Sequence, residues 1–256
     1  MPNKDDTKSK AVVSPQVGMS RSDHPHELKA KNASDLVFLR SETETGKERM
    51  KCSWLDGIRL EVREGSVCDM SCQVVVNAAN ETLEGGGGVD QAVHEAAGPQ
   101  LLKECQSIPA VCVTQEGGAI PVGDFCRCPV GQVRVTKAYN IAEAEWIFHT
   151  VAPLLDRDGQ PQPKLLQQCY RGCLEATKER NVESIAFCSL GTGFYGFPQV
   201  LAAKVAIAAV TDWISQDQRG RVSSTGSKLS RVVFSTWGAD QTEIYERLLA
   251  QQSSGE

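Results

Sequence analysis

A chain of 256 residues with 41% hydrophobic content can bury one large core or two small ones, and a formal net charge of −5 disfavours bulk attraction to nucleic acid. The ten cysteines are scattered, mostly at apolar positions such as Cys169, Cys173 and Cys188. With no secretory signal and no apolar run of membrane length they read as reduced, buried thiols of an intracellular protein, cytoplasmic or nuclear. Acidic residues near the start argue against a mitochondrial presequence but leave that location open.

Residues 1–50 are polar, charged and poor in aromatics, and read as a disordered or loosely docked extension in which Asp35-Leu36-Val37-Phe38-Leu39 is the segment able to dock. Residues 51–256 read as one domain. Alternation over residues 58–62 predicts a half-exposed strand, and residues 72–76 a more buried one. Helical spacing over residues 89–105 predicts a helix that Gly98-Pro99 should kink or divide. Strands are expected at 133–135 and 146–149, a helix at 163–180, a buried strand at 185–187, a long apolar helix at 198–214, a strand at 231–235 and a last helix at 241–249. Alternating strands and helices predict a three-layer α/β/α domain with a mixed central sheet, parallel in its centre and antiparallel towards an edge. Ligands of such folds sit at the carboxyl ends of the strands.

Two loops carry the functional signal. Val76-Asn77-Ala78-Ala79-Asn80 is followed by Gly85-Gly86-Gly87-Gly88-Val89-Asp90. Four consecutive glycines cost backbone entropy and make sense where the chain must approach a ligand closely, offering bare N–H groups to an anion. The second loop, Ser189-Leu190-Gly191-Thr192-Gly193-Phe194-Tyr195-Gly196, again joins a strand to a helix. Together they point to a diphosphate held between two backbone cradles. Neither the Lys-Ser/Thr ending of a nucleoside-triphosphatase loop nor a G-x-G-x-x-G after the first strand is present, so a different diphosphate ligand is needed.

These residues resemble the macrodomain family, and within it the MacroD-type ADP-ribosyl hydrolases. The matching text is the first loop, then His94-Glu95-Ala96-Ala97-Gly98-Pro99, Phe148-His149-Thr150-Val151-Ala152-Pro153, and Gly191-Thr192-Gly193-Phe194-Tyr195-Gly196-Phe197-Pro198. The resemblance runs in the family's order from about Leu60 to Leu249. It implies the macrodomain fold with an ADP-ribose cleft, release of mono-ADP-ribose from acidic side chains of modified proteins, and deacetylation of O-acetyl-ADP-ribose, without cofactor or metal. It implies catalytic roles around the distal ribose for Asn80, Asp90 and His94. Asn77, Ala78, Ala79, Gly86, Gly87, Gly88 and Val89 then line the first phosphate loop. Ser189, Leu190, Gly191, Thr192, Gly193, Phe194 and Tyr195 line the second, with Tyr195 beside the distal ribose and Trp237 against the adenine. A monomer is expected, whose partners are ADP-ribose, O-acetyl-ADP-ribose and mono-ADP-ribosylated proteins rather than membrane or nucleic acid.

Three departures from the family pattern matter. The usual Gly-Asp ahead of the second strand is Gly65-Ser66 here. Adenine recognition therefore weakens, rests on Ser66 with its neighbour Val67, or passes to a group such as Asp69. Gly191 stands where the family often has Ser, which should loosen the second loop. An insertion falls at residues 106–128; Cys105, Cys112, Cys126 and Cys128, in and beside it, match no standard zinc spacing and read as free thiols on a surface loop.

Cleaving an ester on ribose requires a placed water, help with its proton and stabilisation of developing charge. No Ser-His-Asp or Cys-His spacing supports a covalent nucleophile. Asp90 is assigned to orient or deprotonate the water and Asn80 to hold the ribose hydroxyls, with the diphosphate helping to place the water. Simpler roles stay open: Asp90 as a helix cap, Asn80 in an Asx-turn, His94 packing one turn from Asp90, His149 and Trp237 as core. The presence of Asn80 and Asp90 favours a hydrolase over the alternative, a reader module that binds ADP-ribose without cleaving it.

Overall fold

The computed structural model describes residues 37–41, 50–111, 126–221 and 227–253. Its strands are β1 (Val37–Ser41), β2 (Met50–Leu55), β3 (Ile58–Glu64), β4 (Val74–Ala78), β5 (Val133–Lys137), β6 (Trp146–Thr150), β7 (Ser184–Phe187) and β8 (Arg231–Thr236). The helices are α1 (Val89–Ala97), α2 (Pro99–Ser107), α3 (Pro163–Glu179), α4 (Gln199–Arg221) and α5 (Ala239–Ser253), with a short 3-10 turn at Val67–Asp69. The strands form one mixed sheet in the order β1-β2-β3-β8-β7-β4-β6-β5. From β3 to β6 all neighbours are parallel. The antiparallel strands stand at both edges, β1 and β2 at one and β5 at the other, where a single such edge was expected.

Connectivity sets the layers. The chain moves one way along the sheet from β3 to β4 to β5, and the other way from β6 to β7 to β8. Right-handed crossovers between parallel strands therefore place the 3-10 turn on one face and α3 and α4 on the other, and α1 packs beside the 3-10 turn. α5 packs on α4. An aromatic row, Tyr170–Phe187–Phe234–Tyr245, with ring centroids 5.0, 6.5 and 5.3 Å apart, links α3, β7, β8 and α5 across that second face. Val74, Val75 and Val76 are all buried, as expected of a strand covered on both faces.

The expected helix over 89–105 is divided at Gly98, and Pro99 begins α2 where its missing N–H costs nothing. β1 falls within the N-terminal stretch set apart from the domain, and pairs with β2 from Val37↔Trp54 to Ser41↔Met50. Apart from Met50, which opens β2, the rest of that stretch lies outside the described residues. β2 itself escaped the sequence reading although Met50-Lys51-Cys52-Ser53-Trp54 alternates apolar and polar residues, because it falls at the boundary drawn between the polar N-terminal stretch and the domain.

β3 corrects a second expectation. The alternation implied one wet face, yet Glu61 is only 1% exposed. Arg231 of the neighbouring β8 reaches it through Nε to Oε1 at 2.8 Å and Nη2 to Oε2 at 3.1 Å, so the charge is paired rather than hydrated. Among the described residues no helix is long and apolar enough to cross a membrane.

Candidate active site

Because β3, β8, β7 and β4 are parallel neighbours, the segments that follow them emerge side by side at one edge of the sheet. In that order they are Gly65-Ser66, Trp237, the loop Ser189 to Gly196, and the loop Asn80 to Val89. These segments thus fall in one row at the carboxyl ends of the strands.

The first loop is shaped by its own polar groups. Asn80 Nδ2 donates to Gly85 O at 2.7 Å, and Asn80 Oδ1 accepts from Thr82 Oγ1 at 3.0 Å. Gly85 and Gly88 have φ of 85° and 64°, which a side chain would resist. Gly86 is needed for space: a Cβ there would stand 3.3 Å from Asp90 Oδ2 and 3.4 Å from Asn80 Nδ2. An acceptor and a donor therefore converge over bare backbone. Among the described residues, the N–H groups of Gly86, Gly87 and Gly88 meet no protein acceptor, so they remain for an anion.

Asp90 does not cap its helix. The N-cap of α1 is Gly88, without a side-chain bond, and Asp90 is 3% exposed. Its Oδ1 accepts from Asn77 Nδ2 at 2.7 Å and lies 3.6 Å from His94 Nε2. Its Oδ2 is buried without a protein partner. Asn77, expected along the ligand, is fully buried instead, because position 77 on β4 points inward between β6 and α1. Ala79, Val67 and Leu190 are also buried, leaving their backbone as the part that can face a ligand.

The second loop is held by Thr192 Oγ1 donating to Ser189 O at 2.9 Å, Gly196 N to Gly193 O at 2.9 Å and Phe197 N to Gly191 O at 3.0 Å. Gly191, expected to loosen it, has a φ of 78° and sits where a Cβ would touch Ala152 and Phe197 at 3.4 Å. Glycine thus permits a tight turn against the core. Phe194 is 98% exposed and Trp237 83% exposed, which removes the core alternative for Trp237. Ser66 Oγ accepts from Cys68 N at 3.3 Å, capping the 3-10 turn, and Asp69 is exposed nearby.

A Macro domain model matches residues 76–206. The chain belongs to the macrodomain family. An O-acetyl-ADP-ribose deacetylase of Escherichia fergusonii is 35% identical over 195 residues, covering 76% of this chain and 97% of that protein. Among solved structures, an Oceanobacillus iheyensis macrodomain with MES bound superposes at a TM-score of 0.68 with 29% identity, covering 82% of this chain and all of that one. A Trypanosoma brucei macrodomain in complex with ADP-ribose superposes at 0.60 with 31% identity, covering 74% of this chain and 68% of that one.

The electrostatics of this macrodomain follow from burial. Desolvation pushes the Asp90 carboxyl up; the Asn77 hydrogen bond and the His94 ring pull it part of the way back. Tyr195 is also raised, by burial and by the charges of Glu81 and Asp90, so the second loop faces the first. His149 lies fully buried beneath the loop, and desolvation lowers it to about 3. Its stability consequence has a definite sign. Below pH 6.5 the unfolded chain protonates this histidine while the folded one does not until about 3, so stability is complete above 6.5 and lost as pH falls. Each pH unit below that value is expected to cost about 1 kcal/mol, read as a falling urea midpoint. A midpoint that stays constant on acidification to pH ~5 contradicts this.

Sequence reasoning missed several supports. Gln241, four residues beyond Trp237 and buried, accepts from Trp237 N at 2.8 Å and donates to Thr192 Oγ1 at 3.3 Å, joining the tryptophan to the second loop. Arg127 N and Cys128 N both donate to Glu81 O, at 2.8 and 3.0 Å, so the return limb of the insertion braces the first loop. Cys126 and Cys128, and Cys105 on α2, are buried and not on a surface loop, while Cys112 lies outside the described residues. No cluster suited to a metal occurs among the described residues.

Proposed function

We propose that this macrodomain binds ADP-ribose and hydrolyses its esters, releasing mono-ADP-ribose from acidic side chains of modified proteins and acetate from O-acetyl-ADP-ribose. The observation that carries the reading is the convergence over Gly86, where Asp90 Oδ2 and Asn80 Nδ2 reach one point. Unpaired N–H groups of the two loops bind the diphosphate, which brings the distal ribose to that point. Water there donates to Asp90 Oδ2, and its oxygen adds to the ester. The ester bond breaks and the departing oxygen takes a proton, so the carboxylate is restored at the end of the cycle. Asn80 aligns the ribose hydroxyls. The relative of E. fergusonii, named a deacetylase, and the trypanosomal complex with ADP-ribose support the same ligand and chemistry.

The direct test is incubation with a protein mono-ADP-ribosylated on glutamate. Free ADP-ribose should accumulate; an unchanged modified protein, with ADP-ribose still bound by calorimetry, would assign the chain to the reader class. At the other end of the cleft, Trp237→Ala is expected to weaken ADP-ribose binding by ~1–3 kcal/mol, because an exposed indole stacks on a base with little else to do. Unchanged affinity in that variant removes the stacking assignment.

A further inference from the structure

We propose that Thr136, His149 and Asn77 are positioning residues: a buried hydrogen-bonded chain across β5, β6 and β4 that clamps Oδ1 of Asp90 and leaves Oδ2 for the substrate. The catalytic consequence rests on the hydrolase reading above; the chain of bonds itself does not. The parallel register sets Asn77 directly beside His149. Asn77 Nδ2 lies 2.7 Å from Asp90 Oδ1 and 3.1 Å from His149 Nδ1. An amide nitrogen carries two hydrogens and no acceptor, so it donates to both. His149 Nδ1 must then be unprotonated, and the single ring proton sits on Nε2, 2.9 Å from Thr136 Oγ1, which accepts it.

Asn77 Oδ1 shows what the arrangement serves. It is buried and has no partner. Turning the amide over would satisfy it only by aiming an oxygen at the Asp90 carboxylate. The amide therefore stays in the orientation that suits Asp90 rather than itself. His149 is neutral because it is buried, and so behaves as a fixed acceptor across the working pH range. The other groups facing it are Cys105 of α2, with Sγ 3.9 Å from Nε2, and His94 of α1, with ring centroids 6.4 Å apart. Asp90 is faced by Asn77 and His94, with Tyr195, Cys105 and Cys188 within electrostatic reach.

Thr136→Val keeps the shape and removes the acceptor. The ring proton then moves to Nδ1, leaving Nε2 to accept from the Cys105 thiol. Nδ1–H opposes the Asn77 amine and the amide turns over, so Asp90 loses a donor and gains an opposing oxygen. Three results are expected for Thr136→Val: exchange of the His149 ring-nitrogen pattern in 15N spectra, an upward displacement of the Asp90 carboxyl titration followed by 13C, and an acid limb of kcat displaced upward by about one pH unit, a tenfold loss on that limb. ADP-ribose affinity should hold, and Thr136→Ser, which keeps the hydroxyl, should restore all three readouts. An Asp90 titration and ring pattern identical to the wild type overturn the proposal. So does a wild-type spectrum with the proton on Nδ1, a measurement that needs no variant to fold. Both spectra are taken without substrate. A displaced carboxyl titration in a protein that cleaves no ester thus upholds the clamp while rejecting the hydrolase reading.

Discussion

Asp90→Ala is expected to slow ester cleavage by about 10²–10⁴-fold while ADP-ribose still binds. The carboxylate makes no hydrogen bond to the N–H groups of either loop, so its removal leaves them available to a diphosphate; the variant loses the acceptor beside Gly86 and the partner of Asn77 Nδ2. Asp90→Asn separates charge from shape, since its side-chain oxygen can still accept from Asn77 but carries no negative charge. Equal losses in both variants identify proton acceptance; a near-normal rate in Asp90→Asn reduces the residue to a placing role. The pH dependence follows the same cause. Burial raises this carboxyl above its ordinary 3.8, so the ionised, active form is lost as pH falls, and the acid limb of kcat must begin above that value. A limb at or below 3.8 contradicts the assignment.

The largest expected loss of stability is at Arg231→Ala, about 3 kcal/mol by urea unfolding. Glu61 is fully enclosed between β2 and β8, and Arg231 satisfies both of its oxygens while also donating to Ser71 O at 2.9 Å and Met70 O at 3.3 Å. Arg59 Nε remains 3.1 Å from Glu61 Oε1 and offsets part of the loss. Removing both partners, as in Glu61→Leu with Arg231→Met, should recover most of the stability, because the penalty lies in leaving one charge buried alone. A single-variant loss below about 1 kcal/mol would show that Arg59 suffices.

Much of this was legible in the chain. The four glycines before Val89 and the spaced glycines after Leu190 announced two tight loops of bare backbone, which the structure builds with positive φ at Gly85, Gly88, Gly191 and Gly196. The central strands and every helix read correctly in kind, the strands from short apolar or alternating runs, α1 to α3 from helical spacing and α4 from its long apolar run. β1 and β2 did not: β1 is the edge strand and β2, paired on both sides, lies where the polar N-terminal stretch was set apart from the domain.

Local sequence thus determined the two glycine-rich loops at strand ends and the placing of Asn80 and Asp90 beside the first of them. Only the folded chain decided what Asn77, Thr136 and His149 do. Asn77 lies 72 positions from His149, and it is strand pairing that brings it and the β5–β6 pair together beneath Asp90. The same holds for Glu61 and Arg231, 170 positions apart, and for Gln241 with Thr192. A buried polar group takes its role from the partner that replaces water, and that partner is chosen by sheet order, which no run of neighbouring residues encodes.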